Sequence, residues 1–149
     1  SYDKHIYTIT PEGELVWKFK TGGKIHGSPM QNKDGLIVIG SFDGNVYFLK
    51  DDGTLVNTFQ TGKRVVSSAT IVDDNSIAIG SFDKKLYLLS NDGNFINSYN
   101  TGGKIFSSPI VLKNGKVVCT TMDGQIHFLS FFKSLKTTLV EKPELLNRN

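Results

Sequence analysis

Four aspartates that recur every 40 residues are the first candidates for chemistry in this sequence: Asp3, Asp43, Asp83 and Asp123. A ring of carboxylates could bind a metal ion. Each of them, however, stands before a glycine or a lysine in a short polar segment, where an aspartate side chain commonly bonds to nearby backbone and fixes a turn. Because each also belongs to a different copy of a repeat, we predict four turn residues and no metal site.

The other nucleophilic and metal-binding side chains form no catalytic pattern. His5, His26 and His127 occupy three different positions of the repeat, and no Ser/His/Asp combination recurs. Gly22-Gly23-Lys24 is too short for a phosphate loop and does not follow a buried parallel strand. Cys119 is the single cysteine, so no internal disulfide forms, and its alternating apolar surroundings predict a core position. We therefore predict no catalytic, cofactor-binding or metal-binding residue, and no enzyme.

A basic residue does recur at one position of every copy, as Lys24, Arg64 and Lys104. These three could be solvated charges in surface loops. In a circular repeat, however, one position recurs around one rim, where three like charges would focus a positive field on a common opening. We therefore take these residues as the candidate partner-binding rim, for an acidic peptide, a glycan or another acidic ligand.

An ungapped repeat of 40 residues positions these candidates. Residues 1–40, 41–80 and 81–120 align, and a partial fourth copy covers 121–130. Each copy has four short apolar segments separated by turns rich in Gly, Asp or Asn. Four strands at this period are typical of a β-propeller blade. The sequence predicts an all-β fold of four-stranded antiparallel blades, in preference to a β-solenoid, whose rungs are shorter and lack hairpin turns.

Small side chains indicate where each blade begins. Ser28, Ser68 and Ser108 suit the crowded strand beside a central channel, so we predict that they lie on innermost strands. The chain then opens with the outer half of a blade, continues through whole blades at 24–62 and 64–102, and ends in a blade that starts at residue 104. That makes about three and a half blades in residues 1–130. Residues 131–149 are predicted to hold a degenerate last strand, at 134–140, and a polar tail.

A closed propeller needs about 4–8 blades, more than this chain supplies. The sequence is therefore expected to be a piece of a longer propeller, or half of a composite ring that a second copy closes as a homodimer. We favour the piece, because the sequence starts in the middle of a blade.

Two segments carry a family resemblance. Gly-Ser-Phe-Asp-Gly-Asn-Val-Tyr-Phe-Leu at 40–49 and Thr-Gly-Gly-Lys-Ile-Phe-Ser-Ser-Pro at 101–109 resemble the PQQ-like repeat of quinoprotein dehydrogenases and their non-catalytic relatives. The resemblance covers residues 1–129 and implies the propeller fold. It also implies a docking tryptophan four residues after each turn glycine. Trp17 fits that pattern, whereas Asn57 and Asn97 stand at the equivalent positions.

The same resemblance bears on activity. The quinoprotein enzymes hold their quinone between a tryptophan and a vicinal disulfide, beside a calcium ion, and one Trp with one Cys cannot build that pocket. The resemblance therefore implies a non-catalytic member, although further blades of a longer parent chain could still hold such a site.

Composition limits the partners. The formal net charge of +3 is far from the dense basic stripe of a nucleic-acid binder, and aromatic residues for base stacking are not expected at the rim. No apolar run is long enough to span a bilayer, the amino terminus has no signal-peptide character, and the compartment stays open.

We expect a binding or scaffold propeller that contacts a protein or acidic ligand through one rim or its open strand edges. A fragment of a quinoprotein oxidoreductase and a lectin-like glycan-binding propeller are the alternatives.

Overall fold

A computed structural model describes residues 1–131, so the strand predicted at 134–140 lies outside the described residues. The described part contains strands and turns only. The strands, in chain order, are β1 (His5–Ile9), β2 (Leu15–Lys20), β3 (Met30–Gln31), β4 (Ile37–Gly40), β5 (Asn45–Leu49), β6 (Leu55–Gln60), β7 (Thr70–Asp73), β8 (Ser76–Gly80), β9 (Lys85–Ser90), β10 (Phe95–Asn100), β11 (Ile110–Val111), β12 (Val117–Thr120) and β13 (Ile126–Leu129).

These strands form four antiparallel sheets that follow one another along the chain. β1 and β2 pair alone, β3 to β6 and β7 to β10 each form a four-stranded sheet in chain order, and β11 to β13 form a three-stranded one. The prediction of four-stranded antiparallel propeller blades that begin with an incomplete one is confirmed. The four sheets are called blades 1 to 4 below.

Strand alternation explains how the blades stack. Along β5, Val46 and Phe48 point into an apolar cluster shared with blade 3, whereas Tyr47 and Leu49 point into a cluster shared with blade 1. Successive side chains of a strand point to opposite faces, so an unbroken apolar run marks a strand buried on both sides. Phe48 and Leu49 are fully buried. Each complete blade is therefore a layer between two apolar interfaces.

Three such interfaces hold the described blades together. Blades 1 and 2 share a cluster around Ile6 and Ile39, blades 2 and 3 one around Phe48 and Ile79, and blades 3 and 4 one around Ile105. Cys119 lies in the third cluster, where burial raises the pKa of its thiol to about 11. The prediction that this cysteine is a core residue is confirmed.

Docking at the outer ends of the blades differs from the pattern that the family resemblance implies. The Trp17 indole packs on Gly53 of blade 2 and its Nε1 donates to the Asp51 carbonyl at 2.7 Å. Asn57 stands at the equivalent position of blade 2, and its Nδ2 donates to the Asp92 carbonyl of blade 3 at 2.8 Å. An amide thus replaces the hydrogen bond of the missing tryptophan, but not its apolar contact.

The predicted inner-strand serines lie just outside the innermost strands, and that expectation was wrong. Each precedes its strand by two residues: β3 starts after Ser28, β7 after Ser68 and β11 after Ser108. Their backbone bonds to the neighbouring blade instead of within the sheet. The Ser28 N–H donates to Ser68 Oγ at 2.7 Å, and the Ser68 N–H donates to Ser108 Oγ at 2.9 Å. The serines form a polar row from blade to blade beside the channel.

The turn before the third strand of each blade needs a left-handed residue. Gly44 and Gly124 supply it with φ values of 89° and 86°, while Lys4 and Lys84 adopt 69° and 73°. An L-residue with a side chain is strained in this region. The prediction that these two lysines occupy positive-φ positions is confirmed.

Replacing one of these lysines tests the strain. Lys84→Gly should raise the free energy of unfolding by about 1 kcal/mol, because glycine adopts the left-handed conformation without steric cost. Lys85→Gly is the matched control: it removes the same charge from the first residue of β9 and should lower stability. Urea denaturation of both variants measures the difference, and a Lys84→Gly variant no more stable than Lys85→Gly would contradict the assignment.

Candidate functional site

The strand order gives the blades two distinct ends. In an antiparallel sheet the chain reverses at every turn, so the connections after the second and fourth strands share one face and those after the first and third share the other. Lys24, Arg64 and Lys104 follow fourth strands, and Asp43 and Asp83 follow second strands. The candidate basic residues and the repeated aspartates therefore lie on the same face.

A continuous row of backbone hydrogen bonds runs along that face. The Phe42 N–H donates to the Lys24 carbonyl at 2.9 Å, and the Phe82 N–H donates to the Arg64 carbonyl at 3.1 Å. On the other side of each link, the N–H of the residue after the basic one donates to the carbonyl of the serine that opens the same repeat copy, as Val65 does to Ser41 at 2.9 Å. Each basic link is thereby fixed between two repeat starts. We call this row the rim belt; it comprises residues 1–2, 24–25, 41–42, 64–65, 81–82, 104–105 and 121–122.

Within the rim belt the cations lie on aromatic rings. Lys24 Nζ is 4.7 Å from the centre of the Tyr2 ring, and Arg64 Cζ is 5.3 Å from the Phe42 ring and 4.3 Å from the Phe82 ring. Lys104 Nζ is 5.9 Å from the same Phe82 ring. A cation over an aromatic face is attracted by the ring quadrupole. The rings hold the three charges above the blade surface, where all three side chains remain exposed.

The aromatic residues of the rim belt were missed at the sequence level. They stand directly before the repeated aspartate in all copies except the last, which has Met122. Of these three rings, Tyr2 is 71% exposed, Phe42 is half-buried and Phe82 is buried, so aromatic residues recur at the rim but are exposed in one copy. Phe106, 48% exposed, adds a second ring beside His26 at 5.2 Å between centroids. The signal was present, because an aromatic residue stands just before three of the four aspartates. The cation that contacts each ring, however, lies 22 positions further along the chain.

The aspartates act as turn residues, as predicted, and also join the blades. Asp83 accepts hydrogen bonds from the Lys85 N–H at 3.0 Å and the Tyr87 hydroxyl at 2.5 Å, both within its own turn and strand. It also accepts one from the Gly62 N–H at 2.7 Å, in the link from blade 2. In the preceding blade the Tyr47 hydroxyl donates to Asp43 at 2.6 Å and accepts from the Gly22 N–H at 3.2 Å.

These bonds shift the titration of both partners. Burial of the Asp43 carboxylate opposes its charged form, but hydrogen bonds outweigh that effect and lower its pKa below the ordinary value of 3.8; the donors are, in decreasing order, Tyr47, Asn45, Ser41 and Gly22. Burial and the bond to Asp83 raise the pKa of Tyr87. The Asp43 carboxylate is thus held ionised by the hydrogen bonds that it accepts.

Charge is segregated between the two ends of the blades. Within residues 1–131, loops and strand ends on the face of the rim belt carry eight basic and four acidic residues, a net charge of +4, and we call it the basic face. The opposite, acidic face carries eight acidic and four basic residues. The basic face holds Lys4, Lys20, Lys24, Lys63, Arg64, Lys84, Lys85 and Lys104 with Asp3, Asp43, Asp83 and Asp123. The acidic face holds Glu12, Glu14, Asp34, Asp51, Asp52, Asp73, Asp74 and Asp92 with Lys33, Lys50, Lys113 and Lys116.

The described residues offer neither a metal-binding cluster nor a membrane-spanning helix. Within residues 1–131, no three His, Cys, Asp or Glu side chains are grouped so that they could hold a metal ion. Nor does that part of the chain contain a helix with the length and hydropathy needed to cross a membrane.

Comparisons with known proteins agree with this architecture. The fold is that of a β-propeller, with several antiparallel blades. It belongs to the family described as the lambda-carrageenase β-propeller domain, which matches residues 1–142. No curated protein matches the sequence.

Two solved structures are similar to it. BamB from Moraxella catarrhalis superposes with a TM-score of 0.66 at 20% identity, over 78% of this chain and 37% of that one. A protein of unknown function from Bacteroides caccae gives 0.65 at 17% identity, over 95% of this chain and 54% of that one. This chain therefore spans about half or less of the structures it resembles, and at these identities the likeness concerns the fold.

The hydrogen-bonded aspartates predict an acid-sensitive fold. Because the pKa of Asp43 is lower in the folded than in the unfolded chain, its contribution to stability is present above about pH 4 and is lost as the pH falls through the folded pKa. Asp43→Asn should therefore be less stable at neutral pH and lose less stability on acidification. Urea midpoints between about pH 7 and pH 2.5 measure both effects.

A matched variant separates this bond network from a general loss of charge. Asp51→Asn removes the same charge from an exposed turn residue. The Trp17 indole bonds to the backbone carbonyl of Asp51, which the substitution keeps, so the variant should lose stability on acidification as the unaltered chain does. If Asp43→Asn and the unaltered chain lost stability in parallel below about pH 4, the aspartate would have no such role.

Proposed function

We propose that this chain is a non-catalytic propeller scaffold whose basic face binds an acidic segment of a partner protein. The observation that carries the proposal is the rim belt, in which backbone hydrogen bonds and aromatic rings hold Lys24, Arg64 and Lys104 in equivalent exposed positions. Fixed cations bind with less loss of side-chain entropy than mobile ones. A positive face on one end of the blades also steers an anionic partner toward that end.

The non-catalytic part of the proposal rests on how the reactive side chains are used. Trp17 packs on the Gly53 turn, and the Cys119 thiol lies in an apolar cluster with a raised pKa. The aspartates of the basic face accept hydrogen bonds from their own turns. The PQQ-like character of the repeats belongs to the same proposal, and the docking of Trp17 onto the next turn supports it.

A polysaccharide is the second candidate ligand, because the matched family is named after a carrageenase. An anionic polysaccharide would use the same cations, and the exposed Tyr2 ring of the rim belt offers a flat apolar face to a sugar ring. The two candidates therefore share a surface and differ in the chemistry of the ligand.

Charge reversal tests the basic face. Lys24→Glu, Arg64→Glu and Lys104→Glu, made together, should weaken binding of a fluorescent oligoglutamate peptide at least about tenfold, with binding to the unaltered chain falling as salt rises. The matched control reverses three exposed lysines of the acidic face, Lys33→Glu, Lys50→Glu and Lys113→Glu. It makes the same change in net charge and should leave binding nearly intact.

The outcomes are distinct once circular dichroism has shown that both variants fold. Equal loss in the two triple variants would mean that net charge, not the rim, attracts the peptide. If the unaltered chain bound dextran sulfate through the rim but not oligoglutamate, the polysaccharide candidate would replace the acidic protein segment.

A further inference from the structure

The outermost strands β2, β6 and β10 occupy equivalent positions in blades 1, 2 and 3. Each pairs on one side only within residues 1–131. An exposed strand edge presents free backbone groups to other chains, and proteins usually protect it with charge or by covering it. The three strands differ in that protection, which makes them internal controls for one another.

The edges of β2 and β6 are protected. β2 carries Lys18 and Lys20, and its Trp17 is docked on the neighbouring blade. β6 has no charged residue, but Asn57 is half-buried and tied by its amide to the Asp92 carbonyl of blade 3. Both strands are thus fixed to the next blade at their midpoints.

The edge of β10 lacks both kinds of protection. It contains no charged residue, and Phe95 and Ile96 are exposed, as are the apolar residues at the same positions of β2 and β6. Asn97, the equivalent of Trp17 and Asn57, is exposed. Its Oδ1 accepts the neighbouring Ser98 N–H at 2.8 Å, as Asn57 does from Thr58, but within residues 1–131 its amide makes no hydrogen bond to the next blade that matches the one from Asn57 to Asp92. Of the three equivalent edges, this one is the most open to pairing.

An apolar hollow lies directly beside β10. Its volume is about 130 Å³, and Val72, Leu88, Ile96 and Phe131 line it, with Asp73, Asn75 and Ser76 at its polar side. An engineered cavity of about 150 Å³ in another protein binds benzene, so this volume suits one large apolar side chain. Strand pairing plus a pocket for a side chain is the arrangement by which extended peptides gain affinity and specificity.

Charge at the two ends of β10 selects the sequence of the incoming strand. The strand starts at the acidic face, after the turn that contains Asp92, and ends at the basic face, where Asn100 pairs with Lys85. A complementary strand is basic at the end that meets Asp92 and acidic at the end that meets Lys85. For antiparallel pairing, these are its carboxyl and amino ends, respectively.

We propose that β10 and the adjacent hollow form a strand-addition site for an extended partner segment with a central large apolar residue, an acidic amino end and a basic carboxyl end. This deepens the scaffold role, and it uses residues outside the rim belt. The site can therefore be tested independently of the basic face.

The probe is a short synthetic peptide of alternating valine and threonine with a central phenylalanine, a glutamate at the amino end and an arginine at the carboxyl end. Ser98→Lys places on β10 the charge that β2 carries as Lys18, and should weaken binding of the fluorescent peptide at least about tenfold. Thr58→Lys makes the equivalent change on β6 and should leave binding unchanged. A second pair, Ile96→Ser and Val56→Ser, tests the hollow in the same way.

Several results would overturn the proposal. They are failure of the unaltered chain to bind the peptide, equal binding of a peptide with its end charges exchanged, and equal effects of the β10 and β6 variants. Circular dichroism checks that each variant folds. The two proposals fail separately. If the unaltered chain bound the strand peptide but not oligoglutamate, the basic face would be wrong and the β10 site would be supported. Ser98→Lys should weaken binding of the strand peptide and leave oligoglutamate binding unchanged.

Discussion

Burial of apolar side chains between neighbouring blades is the constraint on which the rest of this structure depends. Val46 and Phe48 of β5 pack toward blade 3, and Tyr47 and Leu49 of the same strand pack toward blade 1. A blade cannot satisfy both faces alone, so each one depends on its neighbours for stability, as in other repeat proteins. Glycines keep these layers close: a Cβ at Gly80 would lie 2.3 Å from Ile105 of the next link.

Polar contacts then fix how the stacked blades are aligned. Apolar packing is non-directional, whereas hydrogen bonds require defined distances and angles. The serine row beside the channel, the rim belt and the bonds from Gly62 to Asp83 and from Asn57 to Asp92 all cross from one blade to the next. The Asp83 side chain serves both purposes, because it closes its own turn and also bonds to the neighbouring blade.

The candidate surfaces follow from the same geometry. An antiparallel blade sends alternate turns to opposite ends, so any residue type that recurs at one repeat position accumulates on one face. Lysine and arginine accumulate at the links after fourth strands, and acidic residues at the hairpin turns, for example Asp52 and Asp92. The outer edges face neither end, which is why β10 presents a surface with a different, apolar chemistry.

The sequence by itself determined the all-β class, the four strands per repeat, the blade in which the chain begins and the turn role of the aspartates. It could do so because a 40-residue period, strand alternation and turn residues are local signals. The left-handed conformation of Lys4 and Lys84 was also predictable, since glycine occupies that position in the other copies.

Only the tertiary structure decided which groups meet across blades. Arg64 lies between the Phe42 and Phe82 rings, and Asn57 makes the cross-blade hydrogen bond that Trp17 makes in blade 1. The serines predicted on the innermost strands bond instead from one blade to the next. These contacts join residues roughly 20 or 40 positions apart, and their geometry depends on the rotation between successive blades. That rotation is set by packing at the interfaces, which a local sequence pattern does not encode.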